Sequence, residues 1–223
     1  MPWQHPTVSL LEVPLSGEKT DCQKFFEANA ENNQRCKALQ DFPSEVQIAW
    51  ESQSASEVSP GVVTDNEQLC RHWTNPIHYD DATGTLKLTA FDDAAGIGLS
   101  VNRMAHTTLA AVGQFASARV LGWNAEHGYM PQRSLVGYSL FDAKEARQVL
   151  TNDAPARRAF GVYDTAKVPN ETTGQEGDTS HADVCQLIAG PQAARSLRHR
   201  MRDLLAPRLT PFSNGDSPEA SSA

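Results

Sequence analysis

The strongest constraint on the fold is a succession of short strand-like and longer helix-like segments that begins at residue 69. The segments LCRHW, IGLSVNR, SLVGYSLF, AFGVYD and ADVCQLI are rich in the apolar and β-branched residues typical of strands. DDATG predicts a turn into a further strand, TLKLTAF. Segments with helical spacing of apolar residues lie between and after them. This order predicts an α+β fold with a single mixed or antiparallel sheet and about three packed helices.

The helix predictions rest on N-terminal capping residues that are followed by apolar residues three and four positions apart. Thr107 or Thr108 caps the segment HTTLAAVGQFASARV. Asp142 and Glu145 have capping-box spacing at the start of DAKEARQVL, and Pro191 suits the first turn of GPQAARSLRHRMRDLLAP. These signals predict one helix after IGLSVNR, one after SLVGYSLF, and one at the C-terminal end of the core.

The N-terminal part of the chain is less regular, and we interpret it as an irregular arm or small lobe. Residues 20–40 predict one helix capped by Thr20 or Asp21, and EVQIAW predicts a strand. ESQSASEVSP has the composition of a linker. The predicted organisation is an arm or lobe with a linker over residues 1–60, a main α+β domain over 61–207, and a disordered tail over 208–223.

Charge and composition exclude some classes of function. The 27 acidic residues outnumber the 19 Lys and Arg residues, which argues against a protein that mainly coats nucleic acid. The four cysteines show neither a C-x-x-C pair nor the spacing of a zinc site, so we interpret them as reduced thiols in the core. The N-terminus lacks the pattern of a signal peptide, and no segment is apolar enough to span a membrane. We therefore expect a soluble, cytoplasmic protein with no membrane partner.

The segment FDDAAGIGLSVNR combines two acids, two glycines and an arginine. A dinucleotide-binding loop places its glycines after a strand, whereas Gly96 and Gly98 precede the apolar run, so no cofactor is predicted. Asp92 and Asp93 have metal-ligand chemistry, but aspartate is also common where turns start, and no metal is predicted. Arg103 ends the strand just before a helix N-terminus, where an anion is favoured. Arg103 is therefore either the ligand of a phosphate or carboxylate, or the partner of a neighbouring acid.

Two histidines add the residue types needed for a reaction at phosphorus. His72 lies in LCRHW and His181 opens HADVCQLI, so both belong to predicted strands. Together with Arg103 they would supply a general base, a general acid and a cationic clamp, which is sufficient for cleavage or transfer at a phosphate. The alternative is a pair of structural histidines whose hydrogen bonds are satisfied by the backbone.

The last predicted helix carries an arginine face beside its apolar stripe, formed by Arg195, Arg198 and Arg202. This face predicts either binding to nucleic acid, nucleotide or an acidic partner, or an ordinary solvated surface. Because no catalytic motif is complete, our first hypothesis is an intracellular accessory protein that binds a protein partner. The second is a phosphate-directed enzyme, of ribonuclease, nucleotide or phosphate-transfer type, that acts on RNA or another phosphate-bearing ligand through the two histidines and Arg103.

Overall fold

A computed structural model of the chain describes residues 18–169 and 176–212, and eight strands lie in this part. They are β1 (Gln68–Asn75), β2 (Tyr79–Asp80), β3 (Thr85–Leu86), β4 (Leu99–Arg103), β5 (Ser134–Asp142), β6 (Phe160–Tyr163), β7 (His181–Gln186) and β8 (Leu209–Thr210). Six of them form one sheet in the order β6-β7-β4-β1-β5-β8, and all neighbours are antiparallel. β2 and β3 form a separate hairpin. The predicted α+β fold is confirmed, and of the two sheet types allowed by the sequence the antiparallel one is present.

Six α-helices and two short 3-10 helices accompany the strands. The α-helices are α1 (Asp21–Ala28), α2 (Arg35–Leu39), α3 (Ser44–Trp50), α4 (Leu109–Glu126), α5 (Ala143–Arg147) and α6 (Pro191–Leu205). The 3-10 helices are Leu88–Ala95 and Ala206–Arg208. Among the residues described here, no helix combines the length and the apolar character that crossing a bilayer requires.

The two faces of the main sheet have different partners. One face carries the main hydrophobic core, where Leu69, Trp73 and Phe141 belong to the same buried cluster as residues of α6 and of the 3-10 helix Leu88–Ala95. The opposite face is covered at one end by α1, α2 and α3, which share a second buried cluster with Tyr163 of β6. At its other end α4 lies over β1 and β5. The candidate functional site lies on this face, between α1, α2 and α3 at one end and α4 at the other.

The local signals in the sequence locate several elements correctly. Thr108 caps α4, its hydroxyl oxygen accepting a hydrogen bond from Ala111 N at 3.1 Å. The capping box of Asp142 and Glu145 begins α5, and Pro191 occupies the first turn of α6. All four cysteines are free and buried, as predicted for reduced thiols of the core.

The predicted strand EVQIAW is wrong, because the segment forms α3. Val46 and Trp50 are four residues apart, a spacing that fits one face of a helix as well as one face of a strand. In the structure Trp50 is buried and packs against Phe25 and Phe42, while Ile48 is exposed. Burial of the aromatic cluster therefore selects the helical alternative.

Two other predicted elements are shorter than expected. The helix predicted over residues 20–40 is broken into α1 and α2 by a turn that contains three asparagines. TLKLTAF supplies only the two strand residues Thr85–Leu86 before the chain enters the 3-10 helix Leu88–Ala95. In both cases a polar or tightly turning segment ends the element earlier than the apolar pattern alone indicates.

The predicted linker is anchored to the sheet. Glu51 is buried and accepts hydrogen bonds from Val162 N at 2.5 Å and from Arg147 Nε at 3.0 Å. Ala55 N donates to Asp164 O at 3.2 Å. From residue 18 onward, the predicted arm or lobe thus packs against the main domain, while residues 1–17 lie outside the described part.

The sheet extends two residues past the boundary predicted at residue 208. Leu209 and Thr210 form β8 at the edge of the sheet, paired with Ser139 and Tyr138 of β5. Arg208 forms a bidentate ion pair with Glu145, with both nitrogen–oxygen distances at 2.5 Å. The prediction of a disordered tail otherwise falls on residues 213–223, which lie outside the described residues.

Replacing two glycines by alanine is expected to change stability in opposite directions. At Gly137 an added Cβ would lie 2.3 Å from Thr210 O, so Gly137→Ala should detach β8 and lower the unfolding free energy by about 1–3 kcal/mol. At Gly122, in α4, an added Cβ meets nothing within 4 Å, so Gly122→Ala should raise stability by about 1 kcal/mol. Urea unfolding followed by circular dichroism measures both. A neutral Gly137→Ala would contradict the pairing of β8 with β5.

Candidate functional site

The candidate site lies where β1 and β4 separate. Their ladder contains the pairs Leu69 with Arg103 and Cys70 with Asn102, and it ends there although both strands continue. Beyond this point β4 pairs with β7 on its other side. Ser100 O, which faces the gap, accepts a hydrogen bond from Arg71 Nη1 at 2.8 Å. A guanidinium thus takes the place of the missing backbone donor at the split.

A cavity of about 530 Å³ lies over this split, and we call it the first cavity. Its basic lining residues are Arg71, Arg119, Arg133 and Lys167, and its acidic ones are Asp93, Glu126 and Asp178. Three histidines, His72, His78 and His181, also line it. The volume is in the range of small-molecule sites, and basic groups outnumber acidic groups here in a chain whose net charge is −8.

Arg71 is the most deeply buried cation of the first cavity. Its side chain is 6% exposed, and among the described residues no carboxylate lies within 4.0 Å of it. Its Nε has no hydrogen-bond partner there either. Burial lowers the pKa of Arg71 to about 10, while Asp93 acts in the opposite direction. Arg71 therefore remains protonated at neutral pH, as a buried cation without a carboxylate within 4.0 Å in the described part of the chain, which is an unfavourable arrangement until an anion binds.

His181 presents an unprotonated nitrogen to the same region. Its Nδ1 lies 2.9 Å from Thr165 O, an atom that can only accept, so Nδ1 carries the proton and donates it to this carbonyl. Nε2 then carries the lone pair, and it has no hydrogen-bond partner in the described part of the chain. The residue is 5% exposed, and burial lowers its pKa although Asp183 opposes the effect. His181 is thus a neutral imidazole whose free nitrogen can accept a proton.

A buried carboxylate organises the surroundings of His181. Asp183 is fully buried, accepts a hydrogen bond from Thr165 Oγ1 at 2.8 Å and forms an ion pair with Arg35, the first residue of α2. Burial alone would raise the pKa of Asp183, but Arg35, His181, Thr165 and Lys167 together outweigh burial and hold the pKa below its ordinary value. Gly98, at φ +100°, passes so close to this carboxylate that a Cβ there would lie 2.8 Å from its side chain. Gly98, the second glycine of G-I-G, therefore leaves the space that the Asp183 side chain occupies.

His72 and His78 are neutral for a common reason. Burial lowers the pKa of each to about 3, and the positive charge of Arg71 adds to the effect. His78 Nδ1 accepts a hydrogen bond from Thr74 N at 3.1 Å, which requires that nitrogen to be unprotonated. His72 lies on the face of β1 that α4 covers, and it borders the cavity directly. Burial and the positive charge of Arg71 thus both oppose protonation of either ring. The same positive charge would favour a bound anion.

A second cavity, of about 610 Å³, lies beside the first, between the region of α1 and α2 and the same strands. Its lining includes Glu27, Glu31, Glu57, Lys19 and Arg35. The two cavities share four lining residues, which are Ile97, Ser100, Lys167 and His181. They therefore meet at the strand split, with His181 on their common border.

The structure brings together two of the three catalytic residues predicted from the sequence. His72 and His181 both line the first cavity. Arg103 lines neither cavity: it is 2% exposed and forms a bidentate pair with Glu67, at 2.6 and 2.9 Å, and an ion pair with Asp164 at 3.1 Å. Because strand side chains alternate, Arg103 points with Val101 and Leu99 to the core side, away from His72. These contacts are those of the neighbouring-acid alternative, and the role of Arg103 as an anion ligand stays a prediction.

The three arginines predicted as a binding face lie on α6, outside both cavities. Arg195 is exposed, Arg198 forms an ion pair with Asp92, and Arg202 approaches Asp203 at 3.8 Å. No group of three His, Cys, Asp or Glu side chains in the described ranges is arranged to hold a metal ion. The binding role of the α6 face stays a prediction.

Sequence reasoning missed Arg71, Arg119 and Lys167. A signal for Arg71 was present, because it stands inside the apolar segment LCRHW, where a long cationic side chain is unusual. Arg119 and Lys167 carry no comparable signal, since both resemble ordinary solvated positions.

Comparisons with known proteins found no relative of this chain. No family model, no curated protein and no solved structure matches the chain.

Proposed function

We propose that this chain is a phosphate-directed enzyme whose substrate places its phosphate against Arg71 in the first cavity. The observation that carries the proposal is the buried guanidinium of Arg71, which lacks a carboxylate partner among the described residues and has an unpartnered Nε. A buried cation is unfavourable until an anion compensates it. The planar guanidinium suits the oxygens of a phosphate, to which it can donate two parallel hydrogen bonds.

The surroundings of Arg71 favour an anionic ligand over a neutral one. Lys167, Arg119 and Arg133 line the same cavity, and the positive charges around His72 and His78 add to the effect of burial in lowering the pKa of both rings. Cavity walls of one dominant charge concentrate the field and raise the local concentration of the oppositely charged ligand.

His181 and His72 supply the proton transfers for such an enzyme. In hydrolysis, a water oxygen attacks phosphorus while His181 Nε2 accepts the proton of that water, and the bond from phosphorus to the leaving oxygen breaks. The bound anion raises the pKa of His72, which takes up one proton from solvent as the anion binds and then donates it to the leaving oxygen. The two histidines return to their starting states by exchanging one proton through solvent, so water is the only co-reactant.

Binding of phenyl phosphate, measured by isothermal titration calorimetry, tests this proposal. Arg71→Met should bind about 10- to 100-fold more weakly than wild type, because it loses charge-assisted hydrogen bonds. Its unfolding free energy should be equal or higher, since a buried uncompensated charge is removed. Arg195→Met is the matched control: it removes the same charge from the exposed face of α6 and should change the affinity less than about twofold. Equal binding by wild type and Arg71→Met, or no binding by wild type, would overturn the proposal.

The accessory, partner-binding role that the sequence favoured first stays a prediction. It would use the α6 face, where Arg195 is exposed and Arg198 is already engaged with Asp92. The geometry around Arg71 supports the enzyme hypothesis better.

A further inference from the structure

We propose that the substrate is a phosphodiester with two organic substituents, one in each cavity, and that its phosphate lies at the border where the two cavities meet. This inference rests on the proposed function and names the substrate class of the same site. The observation that supports it is that two adjacent cavities, of about 530 and 610 Å³, share four lining residues.

The shared border contains the groups that a reacting phosphate needs. His181 lies there with its unpartnered Nε2, 5% exposed, together with Lys167 and the side chain of Ser100. Arg71 reaches the same point, since its Nη1 donates to Ser100 O. Each cavity is large enough for a substituent of nucleoside size. A phosphate monoester at this position would fill one cavity and leave the other empty.

The charge at the border also fits a diester. A phosphodiester is an anion, and the border holds the cations Arg71 and Lys167, with no carboxylate within 4.0 Å of Arg71 in the described structure. A bound diester therefore compensates the charge of Arg71.

The two cavities differ in the substituent that they suit. Two large apolar side chains that line the first cavity and not the second, Ile77 and Phe115, are each 40% exposed. Exposed apolar groups gathered at one cavity are typical of a binding site, and the ring of Phe115 can stack on an aromatic group. The second cavity is lined instead by Glu27, Glu31 and Glu57. We therefore assign the aromatic substituent to the first cavity and a polar, sugar-containing substituent to the second.

Hydrolysis of such a diester balances with water alone. Water oxygen forms the new bond to phosphorus, and His181 Nε2 accepts its proton. The bond between phosphorus and the oxygen of the aromatic substituent breaks, and this oxygen takes a proton from His72. The products are an aromatic alcohol and a monoester that keeps the second substituent.

The test uses the full chain with the 4-nitrophenyl ester of thymidine 5′-monophosphate as the diester probe. Wild type should bind it at least about tenfold more tightly than 4-nitrophenyl phosphate or thymidine 5′-monophosphate, and should release 4-nitrophenolate from it. Ala30→Trp places a large side chain at an exposed position of the second cavity. This variant should reduce diester affinity to that of 4-nitrophenyl phosphate and leave the affinity for 4-nitrophenyl phosphate unchanged.

A second pair of variants tests the first cavity. Phe115→Ala should weaken diester binding about fivefold without changing the affinity for inorganic phosphate. Leu121→Ala is the matched control, because Leu121 is an exposed apolar residue of the same helix that is absent from both cavity linings. If wild type binds monoester and diester equally, or binds the diester without releasing 4-nitrophenolate, the diester assignment is overturned while phosphate binding at Arg71 stands. If no phosphate probe binds, the proposed function itself fails.

Discussion

Replacing Arg103 by methionine is expected to lower the unfolding free energy by about 3–5 kcal/mol. The variant leaves Glu67 and Asp164 buried without their cation, and it removes the donor to Gly61 O, which Arg103 Nη1 contacts at 2.6 Å. Because small domains are stable by only about 5–15 kcal/mol, this loss is a large part of the total. Guanidinium chloride unfolding at neutral pH measures it.

Arg157→Met is the matched control for this prediction. Arg157 pairs with Asp153 at 3.1 Å, but both side chains are more than half exposed, so its loss should cost less than about 1 kcal/mol. Adding Glu67→Gln to Arg103→Met should recover part of the stability, since one uncompensated charge is removed. A loss below 1 kcal/mol for Arg103→Met would contradict its assignment as the structural cation of the core. Its folded fraction should still bind phenyl phosphate, because Arg103 lines neither cavity.

The second large effect is a loss of stability as the pH falls from about 6.5 towards 4. Burial beside Arg71 lowers the pKa of His72 and of His78 to about 3, below the ordinary value of 6.5 that the unfolded chain has. In this range the unfolded state binds protons that the folded state rejects, so the stabilisation is complete above pH 6.5 and is lost on acidification. The two rings together should contribute on the order of 4 kcal/mol.

The titration of one buried carboxylate, Asp164, changes the stability in the opposite direction, because it stabilises the folded state at low pH. Burial raises the pKa of Asp164 to about 6 although Arg103 lowers it, so the folded state binds this proton more tightly than the unfolded state does. Its contribution is present below about pH 4 and is lost as the pH rises through 6, which makes the net acid destabilisation smaller than that of the histidines alone.

The variant His78→Asn isolates the histidine contribution. The asparagine Oδ1 can accept the hydrogen bond from Thr74 N that His78 Nδ1 accepts now, but it does not titrate. Stability near pH 7 should therefore stay close to wild type, while its fall between pH 6.5 and 4 should become shallower. His199→Asn, on α6 and outside both cavities, should leave the slope unchanged. An identical slope for wild type and His78→Asn would contradict a neutral His78.

The sequence by itself determined the elements whose signals are local. The start of α4 at Thr108, the capping box of α5 and the buried strands β1 and β7 follow from residues within a few positions of one another. In α3 the apolar spacing fits both a helix and a strand, so the sequence did not decide the type of element. In β8 the pairing partner is distant in the chain, so the sequence did not reveal the strand.

The candidate site depended on tertiary structure for the same reason. Arg71 and Arg103 each occupy a strand of similar apolar character, and nothing nearby in the chain shows which of them has an acidic partner. The register of β1 with β4 turns Arg103 towards Glu67 and Asp164, 36 and 61 positions away, whereas Arg71 faces the split between the strands without a carboxylate in the described structure. Composition and capping chemistry act over one or two turns of chain. The compensation of a buried charge depends on which residues the sheet brings within about 4 Å, and only the tertiary structure decides that.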